Sequence, residues 1–216
     1  MKVVISLGGS LISLEKPEFI EELAGFIKRV SKNIDLYIVV GGGKTARGYI
    51  NTARKFCKDE AYLDKLGIMA TRLNALLLNS FFKRKIPCTI ETASKMAPPV
   101  IMGGTTPGHS TDAVAAMLAK QVKADLLIIA TNVDGIYDKD PKKYRDAKKL
   151  DKIKIEDLKK IVGRKWRAGE NVVVDSIACR IIGKEKIKTV VLNGSNLQEL
   201  ENAIYGKKFN GTIVIT

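Results

Sequence analysis

Cysteine is scarce in this 216-residue chain and histidine scarcer: Cys57, Cys88 and Cys179 stand far apart, and His109 is the single histidine. An odd number of separated cysteines with no Cys-x-x-Cys pair excludes a disulfide framework and a thiolate zinc site, and it fits a reducing compartment. No apolar run reaches the length needed to cross a bilayer. The apolar opening "MKVVISLGGSLIS" is broken by glycines and lacks a small-residue cleavage site, so it reads as a first strand of a cytoplasmic protein. No low-complexity linker and no repeat of solenoid length occurs. Acidic residues are also in deficit, 23 against 37 basic, giving a net charge of +14. Such an excess suits phosphate-bearing partners. The lysines are nevertheless spread over helix faces rather than gathered in a tail, so a solvated surface accounts for most of them and nucleic-acid binding is not expected.

What is present alternates. Apolar, β-branched runs at 2–7, 35–40, 86–91, 98–102, 125–131, 188–192 and 212–215 read as strands. Amphipathic stretches at 17–31, 44–57, 60–84, 110–123, 155–162, 175–185 and 196–205 read as helices. Continuously apolar strands between helices predict an α/β fold, a three-layer α/β/α sandwich on a mostly parallel central sheet. One domain is expected over residues 1–216, with an irregular excursion in 136–170, where Asp, Lys, Pro and Gly break the pattern.

Open α/β sheets bind ligands beyond the carboxyl ends of their strands. Here those ends carry "GGS" (8–10), "GGGKTAR" (41–47), "GGTTPGHSTD" (103–112) and "NVDGIYDKDP" (132–141). Glycine loops opening a helix offer bare amides and a helix dipole to an anion. Neither a GxxxxGK[ST] nor a GxGxxG pattern is present, and each loop alone is open to being only a tight turn. Their convergence on one rim favours phosphate. Lys44 and Arg47 follow the triple glycine within a single helical turn. Cations there oppose the helix dipole, so a bound phosphate gives them a use that plain solvation does not. Arg47 can offer two donors and Lys44 a point charge.

In "GGTTPGHSTD", hydroxyls at Thr105, Thr106, Ser110 and Thr111 surround a Pro107-Gly108 turn. Ser110 or Thr111 fits a helix cap. Asp112 either belongs to that first turn or orients basic groups about a transferring phosphoryl. His109 is assigned ligand contact. Tyr137 suits stacking on a base or covering a ribose, and Asp140 suits sugar hydroxyls, although the Asp138/Asp140 pair equally shapes a turn. Mg²⁺ needs only one or two carboxylates beside substrate phosphates, and the sequence shows no metal cage.

Together these motifs resemble the amino acid kinase fold and, within it, the archaeal-type uridylate (UMP) kinases. The resemblance rests on "VVGGGKTARGYI", "EAYLDKLGIMATRLNA", "GGTTPGHSTDAVAAMLA", "ATNVDGIYDKDPKKY" and "VVVDSIACRII", and spans essentially the whole chain. It implies transfer of the γ-phosphoryl of ATP to UMP with Mg²⁺, by a homo-oligomer, a hexamer in the family. It implies ATP contacts at Gly8, Gly9, Ser10, Gly43, Arg47, Thr131, Tyr137 and Asp140. UMP contacts would come from Gly42, Asp64 and the run Thr105, Thr106, Pro107, Gly108, His109, Ser110 and Thr111, with Asp112 organising the phosphate-binding groups. One departure stands out. Many relatives place a lysine on the first strand, where this chain has Ser6, and Lys44 or Arg47 is expected to supply the missing charge. Isopentenyl phosphate kinase, the same-fold alternative, is expected to carry a histidine soon after the second glycine loop, and residues 41–56 contain none. A non-catalytic nucleotide sensor or nucleic-acid-binding regulator is the alternative of another class.

Overall fold

The computed structural model describes residues 1–139, 144–162 and 174–216. In chain order the elements are β1 (Lys2–Leu7), a 3-10 turn (Gly9–Leu11), α1 (Pro17–Val30), β2 (Asp35–Val40), α2 (Gly43–Ala53), α3 (Glu60–Asn79), α4 (Ile90–Lys95) and β3 (Val100–Met102). There follow α5 (Thr111–Val122), β4 (Leu126–Thr131), β5 (Ile136–Tyr137), β6 (Lys149–Leu150), β7 (Lys152–Lys154) and α6 (Ile155–Val162). The last elements are α7 (Ser176–Glu185), β8 (Thr189–Asn193), α8 (Leu197–Ile204) and β9 (Gly211–Ile215).

The main sheet has the order β3-β2-β1-β4-β8-β9-β7 and is parallel apart from the β8/β9 pair. Leu7 sits level with both Val40 and Ala130, and Val39 with Met102, so β3, β2, β1 and β4 end side by side. The loops read from the sequence as convergent therefore leave one rim.

Side chains alternate across each strand. Val3, Ile5 and Leu7 of β1, with Leu36, Ile38 and Val40 of β2, join one core built with α1 and α8. Val4, Tyr37, Val39, Leu127 and Ile129 join the opposite core, built with α5 and α7. Both faces are covered, which is why these strands show continuous rather than alternating apolar character. The same period turns Ser6, two residues after Val4, toward α5.

Three expectations are corrected. Residues 86–91 do not form a strand: Thr89 caps α4, its Oγ1 accepting from Thr92 N–H at 3.1 Å. A hydroxyl cap with Glu91 in the first turn overrides the β-branched look of the run. The helix begun at residue 60 stops at Asn79, where Asn79 Nδ2 donates to the Arg84 carbonyl at 2.5 Å and Lys83 takes a positive φ. The irregular excursion contains short strands: β5 pairs with β6, and β7 extends the main sheet beside β9.

Candidate active site

The glycines of the rim are demanded first by the chain itself. The 8–10 and 41–43 turns pack main chain on main chain. A Cβ on Gly9 would lie 2.2 Å from the Gly43 nitrogen, and one on Gly43, whose φ is +56°, 2.2 Å from the Gly9 carbonyl oxygen. Two of the amides are already engaged, because Gly8 N–H donates to Ala130 O and Gly41 N–H to Leu7 O, both at 2.8 Å. The Gly8 amide therefore continues the sheet, while Gly8 itself lines the cleft with Gly9 and Ser10. The first i→i−4 bond of α2 runs from Ala46 N–H to Gly42 O at 3.0 Å, so the amides of residues 43–45 precede the helical ladder and suit an anion.

Polar side chains of α3, which the sequence did not single out, hold this rim in place. Asn74 Nδ2 donates to the carbonyls of Gly41 and Gly42. Thr71 Oγ1 accepts from Gly104 N–H at 2.6 Å, while its hydroxyl donates to Ile68 O. Arg72 donates to the carbonyls of Gly104 and Thr105 at 3.1 and 3.2 Å. Thr71 and Asn74 lie one turn apart, and Arg72 reaches the same loops from beside Thr71. Their signal in sequence was a polar run, "TRLN", inside an otherwise apolar helix.

The floor of the cleft is acidic. Ser6 Oγ donates to Asp112 Oδ1 at 2.5 Å. Desolvation raises the Asp112 carboxyl to about 7, the hydrogen bond from Ser6 opposing that rise and nearby Asp175 adding to it. Asp175, only 2% exposed, caps α7 by accepting from Ile177 and Ala178 N–H at 2.6 and 2.9 Å. Ser110 donates its hydroxyl to the other Asp175 oxygen and, as the cap of α5, accepts from Ala113 N–H. Burial raises the Asp175 carboxyl, against the pull of its backbone donors. Asp64 is raised too, chiefly by desolvation, although Gly108 N–H donates to its Oδ2 at 2.7 Å.

Residues 8–10, 41–43, 47, 104, 109–112 and 129–131 line one cleft with Asp64 and Asp175. The structure thus brings together most of the residues expected from sequence. Thr105, Thr106, Pro107 and Gly108 lie outside the lining; Thr106 Oγ1 meets His109 Nδ1 at 3.0 Å, and Gly108 anchors to Asp64. Tyr137 pairs with Lys149 across β5 and β6, away from the cleft wall. Lys44, expected beside Arg47, is not among the residues lining the cleft: its Nζ pairs with Glu15 at 3.3 Å, both side chains 75% exposed, while Arg47, three residues on, lines the cleft. Asp140 lies outside the described residues. Among the described residues, Arg47 is the one Lys or Arg lining the cleft, against three carboxylates.

The amino acid kinase family model matches residues 1–193. The chain belongs to the amino acid kinase family. As a family member it is 44% identical to the uridylate kinase of Methanocaldococcus jannaschii over 99% of both chains. It is 46% identical to the uridylate kinase of Archaeoglobus fulgidus, over 99% of this chain and 100% of that one. The crystal structure of the Archaeoglobus fulgidus uridylate kinase superposes with a TM-score of 0.89 at 45% identity, covering 99% of this chain and 100% of that chain. A UMP kinase from Ureaplasma parvum, at 23% identity and a TM-score of 0.78, shares the fold.

Proposed function

We propose that this kinase transfers the γ-phosphoryl of ATP to UMP, giving ADP and UDP for pyrimidine nucleotide synthesis. The supporting observation is the convergence of three strand-end loops and the end of β4 on one cleft, in a chain that is 44–46% identical end to end to uridylate kinases. A UMP phosphate oxygen attacks the γ-phosphorus in line, and the bond to the β–γ bridging oxygen breaks, leaving ADP. The acceptor oxygen is already anionic, so no base is needed, and alignment with charge stabilisation carries the rate.

Arg47 supplies the protein's cation, and the amides of residues 43–45 meet the ATP phosphates beside Gly9 and Ser10. Asp64 and the 104–111 loop take UMP. Mg²⁺ suits this site as a companion of the nucleotide. Among the described residues no group of three or more His, Cys, Asp or Glu could cage a metal, while one arginine facing three acids leaves phosphate charge to be neutralised. The ion would supply that neutralisation.

One domain over residues 1–216 is supported by a sheet whose strands run from residue 2 to residue 215. Homo-oligomerisation, as a hexamer, is supported by the unpaired apolar stripe of Tyr62, Met69, Leu73 and Leu76 along α3, each more than half exposed. A cytoplasmic setting fits three free cysteines and described helices none of which is long and apolar enough to cross a membrane.

The test is ADP release with UMP, CMP, AMP and isopentenyl phosphate as acceptors. A preference for UMP by at least about tenfold in kcat/KM is expected. Preference for isopentenyl phosphate, or salt-sensitive DNA binding without transfer, would overturn the proposal.

A further inference from the structure

Ser6 stands one residue before the end of β1, where the first loop springs, and is 1% exposed. Its neighbours on the same strand face, Val4 and the apolar residues of β2 and β4, are core. A hydroxyl in that setting needs a partner, and it has one: Asp112 Oδ1 at 2.5 Å, across from β1 to the first turn of α5. A second serine–aspartate pair stands beside it, Ser110 donating to Asp175. Each buried carboxyl of the floor thus has one oxygen fixed by a serine. For Asp112 the bond from Ser6 fixes Oδ1 in a residue that lines the cleft.

We propose that Ser6 is a positioning residue for phosphoryl transfer, its hydroxyl holding the Asp112 carboxylate in the orientation the transferring group requires. This rests on the uridylate kinase reading above. A neutral donor on β1 thereby governs the ionisation and aim of an acid on α5. A hydrogen bond to a carboxylate favours the charged form.

Among the described residues, the groups facing Asp112 are few. Asp175 and Cys179 approach from α7, and His109 lies near Asp175 in the preceding loop. Lys159 of α6 acts on Cys179 and is paired with Glu156, and Glu91 and Lys95 of α4 pair with one another. Strand β4 presents only Leu, Ile, Ala and Thr, and Tyr37 is the titratable side chain of β2 on this face. Nothing else from β1 competes with Ser6.

The experiment compares wild type, Ser6→Ala and Ser6→Thr in two readouts. In ADP release, Ser6→Ala is expected to lower kcat about tenfold at pH 7 and to move the acidic limb of the kcat profile upward by about one pH unit, with KM for ATP and UMP within about twofold. Ser6→Thr, which keeps the hydroxyl, is expected to restore both. In carbon-13 NMR, the Asp112 carboxyl resonance, assigned by its loss in Asp112→Asn, is expected to titrate at higher pH in Ser6→Ala. An unchanged limb, a loss confined to KM, or an unmoved carboxyl titration would overturn the proposal. A wild type that releases no ADP with UMP would instead overturn the function, and the NMR titration would still decide whether Ser6 governs Asp112.

Discussion

Asn74, buried in the middle of α3, donates from one amide nitrogen to the carbonyl of Gly41 at 2.9 Å and of Gly42 at 3.2 Å. A single helix side chain therefore holds the turn that follows β2. Replacing Asn74 with leucine leaves both carbonyls without that donor in an interior position. A loss of about 2 kcal/mol in denaturant unfolding is expected, with weaker binding of both nucleotides in calorimetry. Unchanged stability would show that the turn is held by the glycine contacts alone.

Gly43 and Gly108 both take positive φ, but their surroundings differ. A Cβ at Gly43 meets the Gly9 carbonyl oxygen at 2.2 Å, whereas at Gly108 it meets nothing within 4 Å. Gly43→Ala is expected to cost more than about 3 kcal/mol or to prevent folding, and Gly108→Ala only about 1 kcal/mol, from backbone strain. Thermal melts of the two variants check the contrast.

Arg47 faces the cleft and Lys44 pairs with Glu15 in solvent. Arg47→Ala is expected to lower kcat by about 10²-fold or more, as loss of a charge stabiliser does. Lys44→Ala, at an exposed ion pair, is expected to stay within about twofold of wild type. Steady-state turnover at saturating ATP and UMP measures both.

The Asp112 carboxyl, at about 7 when folded against an ordinary 3.8, sets a pH dependence whose sign is fixed. Folding favours the protonated form, so this group's contribution is full below about pH 4 and is lost as pH rises through about 7. Asp112→Asn mimics the protonated form. It is expected to be more stable than wild type at pH 8 by about 2 kcal/mol, the gap closing toward pH 4, while phosphoryl transfer falls. Melting curves across pH decide it, and a pH-independent gap would refute it.

The rim was legible in sequence because its signals are local. Glycine runs directly follow β-branched strands, and a Ser-Thr-Asp start opens α5. What stayed hidden depends on which face a helix turns. Thr71, Arg72 and Asn74 show their role only where α3 meets the loops, and Asp175, the cap of α7, only where it comes up against Ser110. Lys44 shows the same limit, since a first-turn position fixes proximity to the rim and leaves open whether the side chain lines the cleft or meets Glu15. The segment 86–91 failed because a β-branched run carrying a hydroxyl cap supports either structure, and only the Thr89 bond to Thr92 N–H decides.

The close approach of Gly9 and Gly43 reaches beyond stability. The 8–10 and 41–43 turns meet main chain to main chain, with no side chain between them to trim or enlarge. Selection or engineering that reshapes the cleft has to work from its outer boundaries, through Thr131 on one flank or Asp64 on the other. The seam between the two turns is closed to gradual change.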